Sequence, residues 1–369
     1  MLDIDRVQTT AEKYKLPLVE ALMVDVNRQG INLPINPTEN ARRVRFSLDL
    51  KIANSMDGDS ATTTKFYLSG PTNQTSIYTL RNNQLFCGGI QIGEVEDLSG
   101  DDATLFYPRR EGTVAVLNPK SKSNCRGCKF CYSDALLKND KPLPIEQYIS
   151  AVIANLQKVT DQNLSTLHCV STVTGRFKDK TELLEYLNKL RHDLSQEGYD
   201  GELLYMGSEF DASSIRILED LKPFTLIHTV ETFGRRKELL RRKKAERNLA
   251  EIRESLSIGK SMGLETSFTY LIGLEKIEII IKEMREMLGS ITRIPTMNIF
   301  QPHSEAQGKL LTPEAKSLEY FLAIREELEK LFIEAKIGKP RTWENYRRLW
   351  YLKFGGTDLP QNHLPQKIA

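Results

Sequence analysis

From about residue 113 onward, short apolar runs alternate with amphipathic segments. The apolar runs are rich in β-branched residues and predict strands, whereas apolar positions three and four residues apart predict helices. The predicted strands span residues 113–117, 167–173, 201–206, 224–230, 264–272 and 295–300. The helices that follow them span residues 144–156, 181–194, 213–221, 244–262, 276–288 and 312–333.

This alternation predicts a fold of the α/β class. Strands that alternate with helices form parallel sheets, and six successive units favour a closed or nearly closed barrel over an open sheet. We therefore expect a partial (β/α)6 barrel of the TIM type, with reactive residues at the carboxyl ends of the strands.

The two ends of the chain have different patterns. Residues 1–112 predict a helix over about residues 9–27 and then strands, with Asn82-Asn83 as a hairpin turn. Aromatic and basic residues alternate after residue 339, which we interpret as a cap over the open side of the barrel. The predicted domains are a β-rich extension (1–112), the barrel (113–335) and a C-terminal cap (336–369).

Composition narrows the class of protein. The chain has 369 residues, 27% of them charged, and a net charge of +2, which is too small to require a nucleic-acid or membrane partner. Three of the five cysteines are clustered, so the pattern does not indicate a disulfide framework. The N-terminus lacks the features of a signal peptide, and no apolar run is long enough to cross a bilayer. We expect a cytoplasmic protein.

The clustered cysteines are the main candidate for chemistry. Three cysteines follow the first predicted strand, namely Cys125, Cys128 and Cys131. Only two residues separate Cys125 from Cys128, and one of them is Gly127, which can adopt dihedrals that other residues avoid and so permits this spacing. An electron-transfer cubane cluster needs four protein ligands, so three thiolates would leave one iron open to a small molecule. The alternative is a structural zinc site completed by His168 or His228.

The segment Cys128–Tyr132, on the loop after the first strand of a six-unit barrel, resembles the radical S-adenosylmethionine (SAM) superfamily. The resemblance implies that three cysteines hold a [4Fe–4S] cluster whose open iron binds SAM. It also implies reductive cleavage of SAM, an electron donor such as flavodoxin or ferredoxin, and radical chemistry on a small-molecule substrate.

Residues 228–233 and 263–275 resemble the biotin synthase-like branch, and the likeness covers residues 113–333. It implies that Glu231 contacts SAM and that Arg247 faces its carboxylate, with Arg241 and Arg242 as rivals. Further SAM contacts are expected at Phe130, Tyr132, Ile272 and Phe300. At the end of the second strand, Ser171 and Thr174 offer hydroxyls in place of the acid usual in the superfamily, and they either contact SAM or are only turn residues.

Two features depart from this branch. The cysteine spacing is two and two residues instead of three and two, which leaves open which carbon–sulfur bond of SAM breaks. The second cluster of biotin synthase has no full ligand set, because only Cys169 lies on a suitable strand; otherwise Cys169 and Cys87 are interpreted as buried thiols. This disfavours sulfur insertion and leaves lyase, transferase or mutase chemistry.

Polar residues near strand ends are the candidates for facing the substrate. Glu209, His228 and His303 are the predicted catalytic residues, with Asn298 and Gln301 beside them. Two of them could instead have only a structural role: Glu209 could cap the helix that begins at Ser213, and His228 could be a buried residue of the core.

The basic run 235–244 has two interpretations. It is either a solvated helix face or a surface for an anionic substrate or RNA. The alternative function is accordingly a non-enzymatic zinc- or cluster-containing RNA-binding protein, which the nearly balanced charge disfavours.

Overall fold

The computed structural model describes residues 3–34, 43–50, 64–100, 106–109, 113–119, 127–131, 143–173, 177–241, 243–341 and 346–359. The chain separates into two compact units. The first comprises residues 1–102, 271–285 and 296–363, and the second comprises residues 103–270, 286–295 and 364–369. Because the units interleave along the chain, they do not coincide with the predicted segments 1–112, 113–335 and 336–369.

The first unit begins with two helices and an antiparallel sheet. The elements are α1 (Asp3–Lys13), α2 (Leu18–Gln29), β1 (Arg43–Leu50), β2 (Thr64–Pro71), β3 (Tyr78–Arg81), β4 (Gln84–Cys87) and β5 (Ile90–Gly100). The sheet has the order β2-β1-β5-β4-β3, with antiparallel pairs throughout. The Asn82-Asn83 hairpin is confirmed, since both residues have positive φ as a tight two-residue turn requires.

The remaining elements follow the predicted alternation. They are β6 (Phe106–Arg109), β7 (Val114–Leu117), α3 (Ile145–Val159), β8 (Cys169–Thr172), α4 (Lys180–Gln196), β9 (Glu202–Gly207), β10 (Phe224–Glu231), α5 (Arg236–Leu239), α6 (Lys243–Glu246), α7 (Leu249–Ser261), β11 (Glu265–Ile272), α8 (Ile277–Met287), β12 (Thr296–Ile299), α9 (Glu305–Gly308), α10 (Leu318–Glu334), β13 (Lys353–Phe354) and β14 (Thr357–Asp358). Short 3₁₀ helices lie at Leu164–Thr166, Ile215–Leu221, Leu288–Ser290 and Pro313–Lys316.

One sheet has the strand order β12-β11-β10-β9-β8-β7-β6. Strands β7 to β11 pair in parallel, and β6 is antiparallel to β7. The last two residues of β11 belong to the first unit. Six strands that neighbour one another in chain order, separated by helices, confirm the predicted α/β fold with a partial (β/α)6 barrel.

The two faces of this sheet differ in character. One face packs with residues of α3 and α4 in an apolar core, to which the sheet contributes Val170, Leu203, Tyr205 and Leu226. Because side chains alternate along a strand, the residues between them lie on the opposite face, which carries many hydroxyl groups. The hydroxyls of Ser208 and Thr229 are hydrogen-bonded there across β9 and β10.

Three predicted helices are divided in the structure. The helix expected over residues 9–27 ends before Pro17, which starts α2, because proline cannot donate an intrahelical hydrogen bond. The helix expected over 244–262 is interrupted at Asn248, although its end at Gly263 is confirmed by a φ of 77°. The helix expected from Thr312 begins as a 3₁₀ turn, and α10 starts after its own cap, Ser317.

The described part of the C-terminal segment is built into the first unit. The Trp350 ring lies 6.1 Å from that of Phe332 on α10, and the Tyr351 ring lies 5.8 Å from that of Phe66 on β2. A lid over the barrel stays a prediction. Among the described residues, no helix combines the length and apolar character needed to span a membrane.

Candidate functional site

The described part of the cysteine motif, residues 127–131, forms a tight turn, which we call the cysteine turn. The Cys131 N–H donates to the Cys128 carbonyl at 2.8 Å, and Gly127 has a φ of 63°, a left-handed conformation that glycine adopts readily. Both cysteine side chains are half-buried, and Phe130 between them is half-buried as well. Cys125 and Tyr132 lie outside the described residues.

The turn is fixed to the segment that follows β10. The Lys129 N–H donates to the Leu239 carbonyl at 3.0 Å. Burial raises the pKa of Cys128, and Glu231 and Cys131 raise it further, while Lys244 and the backbone N–H of Arg241 lower it. The cysteine turn therefore lies within electrostatic reach of the carboxyl end of β10.

Five side chains share this environment, and we call them the strand-end cluster: Cys128, Cys131, Glu209, Glu231 and Lys244. Burial of Lys244 favours its neutral form, but Glu231, Cys128, Glu209 and Cys131 outweigh burial and raise the pKa of the ammonium group. The cluster thus combines two thiols, two carboxyl groups and one cation. Sequence reasoning missed Lys244, because it was counted in a basic run.

Glu231 has unusual backbone geometry. It ends β10 with a φ of 67°, a left-handed conformation that costs roughly 1–3 kcal/mol for a residue other than glycine. The strand pairing shifts at the same point, between the Thr229–Thr269 and Glu231–Tyr270 pairs. Strained residues of this kind are concentrated at functional sites, where the surrounding structure holds them.

Glu209 is held by the end of β9. Its carboxylate accepts hydrogen bonds from the Tyr205 hydroxyl and, at 2.8 Å, from the Ser208 N–H. A side chain at Gly207 would clash with the Tyr205 hydroxyl and the Glu209 carboxylate. A glycine at this position therefore allows the carboxylate to fold back onto the strand end.

Arg247 is anchored by a neighbouring loop. Its Nη1 donates to the Phe210 carbonyl at 2.5 Å, and its Nη2 lies 3.9 Å from the Asp211 carboxylate. Burial of Asp211 opposes ionisation, but hydrogen bonds from Lys180, Ser213 and Ser214 prevail and lower its pKa. Of the two rivals for the role of Arg247, Arg241 is exposed and Arg242 lies outside the described residues.

Arg236 is a second residue that sequence reasoning missed. The basic run 235–244 was interpreted in part as a solvated helix face, but the Arg236 side chain is buried. Its guanidinium donates to the carbonyls of Val230 at 2.7 Å and Lys244 at 2.7 Å. No sequence pattern reveals such contacts, because their acceptors are backbone atoms.

The sheet face opposite the helices is lined with hydroxyl groups. Ser171 is 6% exposed, and its Oγ lies 3.5 Å from the sulfur of Cys169. Thr269 pairs with Thr229, so the two side chains lie on the same face. Among the described residues, none is hydrogen-bonded to the buried Thr269 hydroxyl. Thr174, also expected here, lies outside the described residues.

His228 lies on the helix-facing side of the sheet. The side chain is 1% exposed, and its Nε2 lies 3.1 Å from the Ser255 Oγ on α7. Burial lowers its pKa to about 3, and the nearby Arg247 and Arg236 cations act in the same direction. This position favours the core alternative over the predicted catalytic role.

The other predicted residues belong to the first unit. The Phe300 N–H donates to the Ile272 carbonyl at 2.8 Å, and both side chains are buried. Gln301 accepts a hydrogen bond from Arg43 at 2.8 Å and donates to the Asn27 carbonyl at 2.7 Å. His303 Nε2 lies 3.4 Å from Nη1 of Arg43.

The donor chemistry of the cysteine turn fits a thiolate-bound metal centre in part. In the described part of the chain, no three His, Cys, Asp or Glu side chains gather into a set that could hold a metal ion. Cys128 and Cys131 supply two sulfur donors from one turn, and Cys125 would be the third. The two described thiols are thus compatible with the predicted ligand set.

No protein-family model matches the chain, and a comparison with curated proteins finds no match. Solved structures give partial likenesses. SuiB of Streptococcus suis bound to S-adenosylmethionine is 13% identical with a TM-score of 0.42, covering 59% of this chain and 48% of SuiB.

Two other solved structures give similar values. The FeFe-hydrogenase maturase HydG of Carboxydothermus hydrogenoformans is 14% identical with a TM-score of 0.41, covering 61% of this chain and 56% of its own. HemN of Escherichia coli, a coproporphyrinogen III oxidase and radical SAM enzyme, is 15% identical with a TM-score of 0.41, covering 62% and 54%. This chain therefore spans about half the length of each neighbour, and the functional assignment rests on its own residues.

Proposed function

We propose that this chain is a radical SAM enzyme that binds a [4Fe–4S] cluster through Cys125, Cys128 and Cys131. It would cleave S-adenosylmethionine reductively and start radical chemistry on a small-molecule substrate. The observation that supports this best is the hydrogen bond from Lys129, in the cysteine turn, to Leu239, in the segment that follows β10. Strand β10 itself ends at Glu231, which has a left-handed backbone.

The residues around the cysteine turn suit the cluster and SAM in their charge and exposure. Half-buried thiols can bind a metal centre while the surrounding chain limits access of water. Lys244 and Arg247 place positive charge at the strand ends, which suits the carboxylate of SAM. Glu231 supplies an acceptor for the hydroxyl or amino groups of the same ligand. When bound, the cluster supplies the electron that breaks a carbon–sulfur bond of SAM.

The finer assignments follow from this proposal. The electron donor would be a flavodoxin or ferredoxin, and the reaction on the substrate would be that of a lyase, transferase or mutase. A cluster with an open iron also suits a reducing cytoplasm better than an oxidising compartment.

Anaerobic reconstitution with iron and sulfide tests the proposal. We expect about four iron and four sulfide per chain, as a cubane cluster requires. Incubation with dithionite and SAM should then give 5′-deoxyadenosine, or methylthioadenosine if the other carbon–sulfur bond breaks, both identified by mass spectrometry.

Two cysteine variants make the test specific. Cys128→Ala should lose both iron and SAM cleavage. Cys87→Ala is the matched control, because it removes a buried thiol of the first unit and should keep both. Unchanged cleavage by Cys128→Ala, or zinc without iron in the wild type, would contradict the proposal.

A further inference from the structure

Arg236 is surrounded by backbone carbonyl groups. It begins α5, and only 7% of its surface is exposed. Its guanidinium donates to the carbonyls of Val230 at 2.7 Å, Thr232 at 3.4 Å, Lys244 at 2.7 Å and Arg247 at 3.2 Å. One buried cation therefore joins the end of β10 to the segment that leads into α7.

The first two acceptors flank Glu231. Val230 and Thr232 are its neighbours in the chain, and the Thr232 N–H donates to the Val230 carbonyl at 2.8 Å. A left-handed non-glycine residue persists only where surrounding contacts fix the backbone on both sides. Arg236 supplies such contacts, so it stabilises the strained conformation of Glu231.

The other two acceptors close a loop that holds the cysteine turn. Arg236 binds the carbonyls of Lys244 and Arg247, and the chain between Arg236 and Lys244 includes Leu239. The Leu239 carbonyl accepts the hydrogen bond from Lys129, which lies between Cys128 and Cys131. A shift of this loop would therefore move the cysteine turn relative to Glu231.

We propose that Arg236 is a positioning residue that couples the Cys128–Cys131 turn to Glu231 and thereby sets the reduction potential of the bound cluster. This inference rests on the proposed function. The role requires arginine, because a planar guanidinium has five donors and reaches several carbonyls at once, whereas lysine has three donors on one atom. Cluster potentials depend on nearby charge, hydrogen bonding and solvent exposure, all of which this residue affects.

The test compares Arg236→Lys and Arg236→Met with Arg235→Met. Arg235 is a matched control, because its guanidinium forms an ion pair with Glu238 at 2.6 Å near the surface. In metal-free, reduced protein, the alkylation rates of Cys128 and Cys131 are measured by mass spectrometry. We expect a several-fold increase in Arg236→Met, a smaller one in Arg236→Lys, and the wild-type rate in Arg235→Met.

The reconstituted proteins provide the second measurement. We expect iron to be held about 10-fold more weakly in Arg236→Met, and the midpoint potential to become more negative. Wild-type alkylation rates and an unchanged potential in both Arg236 variants would overturn the coupling. If Arg236→Met does not fold, Arg236→Lys decides the question by the same measurements.

The two proposals can fail separately. A wild-type protein that takes up no iron and sulfide contradicts the radical SAM assignment, whereas the alkylation rates of the metal-free variants still decide whether Arg236 holds the cysteine turn. A wild type that binds the cluster with no difference between Arg236→Met and Arg235→Met overturns only the role of Arg236.

Discussion

His228 shows how one residue can lie near a strand end and still be directed away from it. Its neighbours in the chain alternate between the two faces of the sheet, and its own ring meets Ser255 on α7. A buried imidazole is costly to protonate, so burial lowers its pKa to about 3. The ring is therefore neutral at physiological pH.

The buried imidazole makes stability depend on pH. Below pH 6.5 the unfolded chain binds a proton that the folded His228 does not accept until about pH 3, so stability falls as the pH decreases. Between pH 7.5 and 5.5 this amounts to a loss on the order of 1 kcal/mol. Urea unfolding followed by circular dichroism should show this loss in the wild type and a smaller loss in His228→Gln.

His192 provides the control for that measurement. It is an exposed residue of α4, so His192→Gln should keep the wild-type dependence on pH. Equal slopes for His228→Gln and the wild type would contradict the buried, neutral state of His228.

At the scale of the elements, Asn248 separates α6 from α7. Its side chain accepts a hydrogen bond from the Glu251 N–H at 2.9 Å, and the Glu251 carboxylate accepts one from the Asn248 N–H at 3.1 Å. This reciprocal capping box satisfies two donors that a helix start leaves open. The helix is therefore stabilised from Leu249 onward and does not continue back to Lys244.

Loss of this cap should destabilise the second unit. We expect Asn248→Ala to lower the free energy of unfolding by about 1 kcal/mol, because a cap of this type contributes that much. Asn248→Asp keeps the acceptor oxygen and should stay near the wild type. Urea unfolding followed by circular dichroism gives both values, and equal stability of the two variants would contradict the assigned cap.

The sequence predicted most elements because their signals are local. Each of the six strands was expected within three residues of its observed ends, since β-branched runs bounded by turns require no tertiary information. The divided helices also had local signals, such as Pro17 and the Asn248–Glu251 pair, which the periodicity outweighed.

The site was less accessible to this reasoning than the fold. The motif made Cys128 and Cys131 candidates, and Glu231 was made one by resemblance. Arg236 was hidden, because its partners are carbonyl groups whose positions depend on how β10 ends. The orientation of His228 was also hidden, because the strand bulge and the facing helix are tertiary features.

At the scale of the whole molecule, a buried carboxylate joins distant parts of the chain within the first unit. Glu20 on α2 is fully buried, and its carboxylate accepts hydrogen bonds from the N–H groups of Tyr351 and Leu352, each at 2.6 Å. Its Oε1 lies 3.2 Å from Nη1 of Arg325 on α10. The C-terminal segment is thus tied to α2 by two hydrogen bonds to a carboxylate that is itself paired with Arg325, although the composition of the segment was interpreted as a cap.

Removal of this carboxylate should be far more costly than removal of a more exposed partner of the same segment. Glu20→Ala leaves the buried Arg325 without its nearer carboxylate partner, and we expect a loss of about 3 kcal/mol or more. Glu329→Ala is the comparison, because its partly exposed carboxylate accepts hydrogen bonds from Trp350 and Gly355 and lies 3.8 Å from Nε of Arg325, at a longer distance than Glu20. We expect this variant to cost about 1 kcal/mol. Both tryptophans of the chain, Trp343 and Trp350, lie in this segment, so fluorescence during urea unfolding reports on it directly. Equal losses in the two variants would mean that the Glu20 carboxylate is not the main anchor of the segment, and that its other contacts, such as the aromatic contacts of Trp350 and Tyr351, hold it equally well.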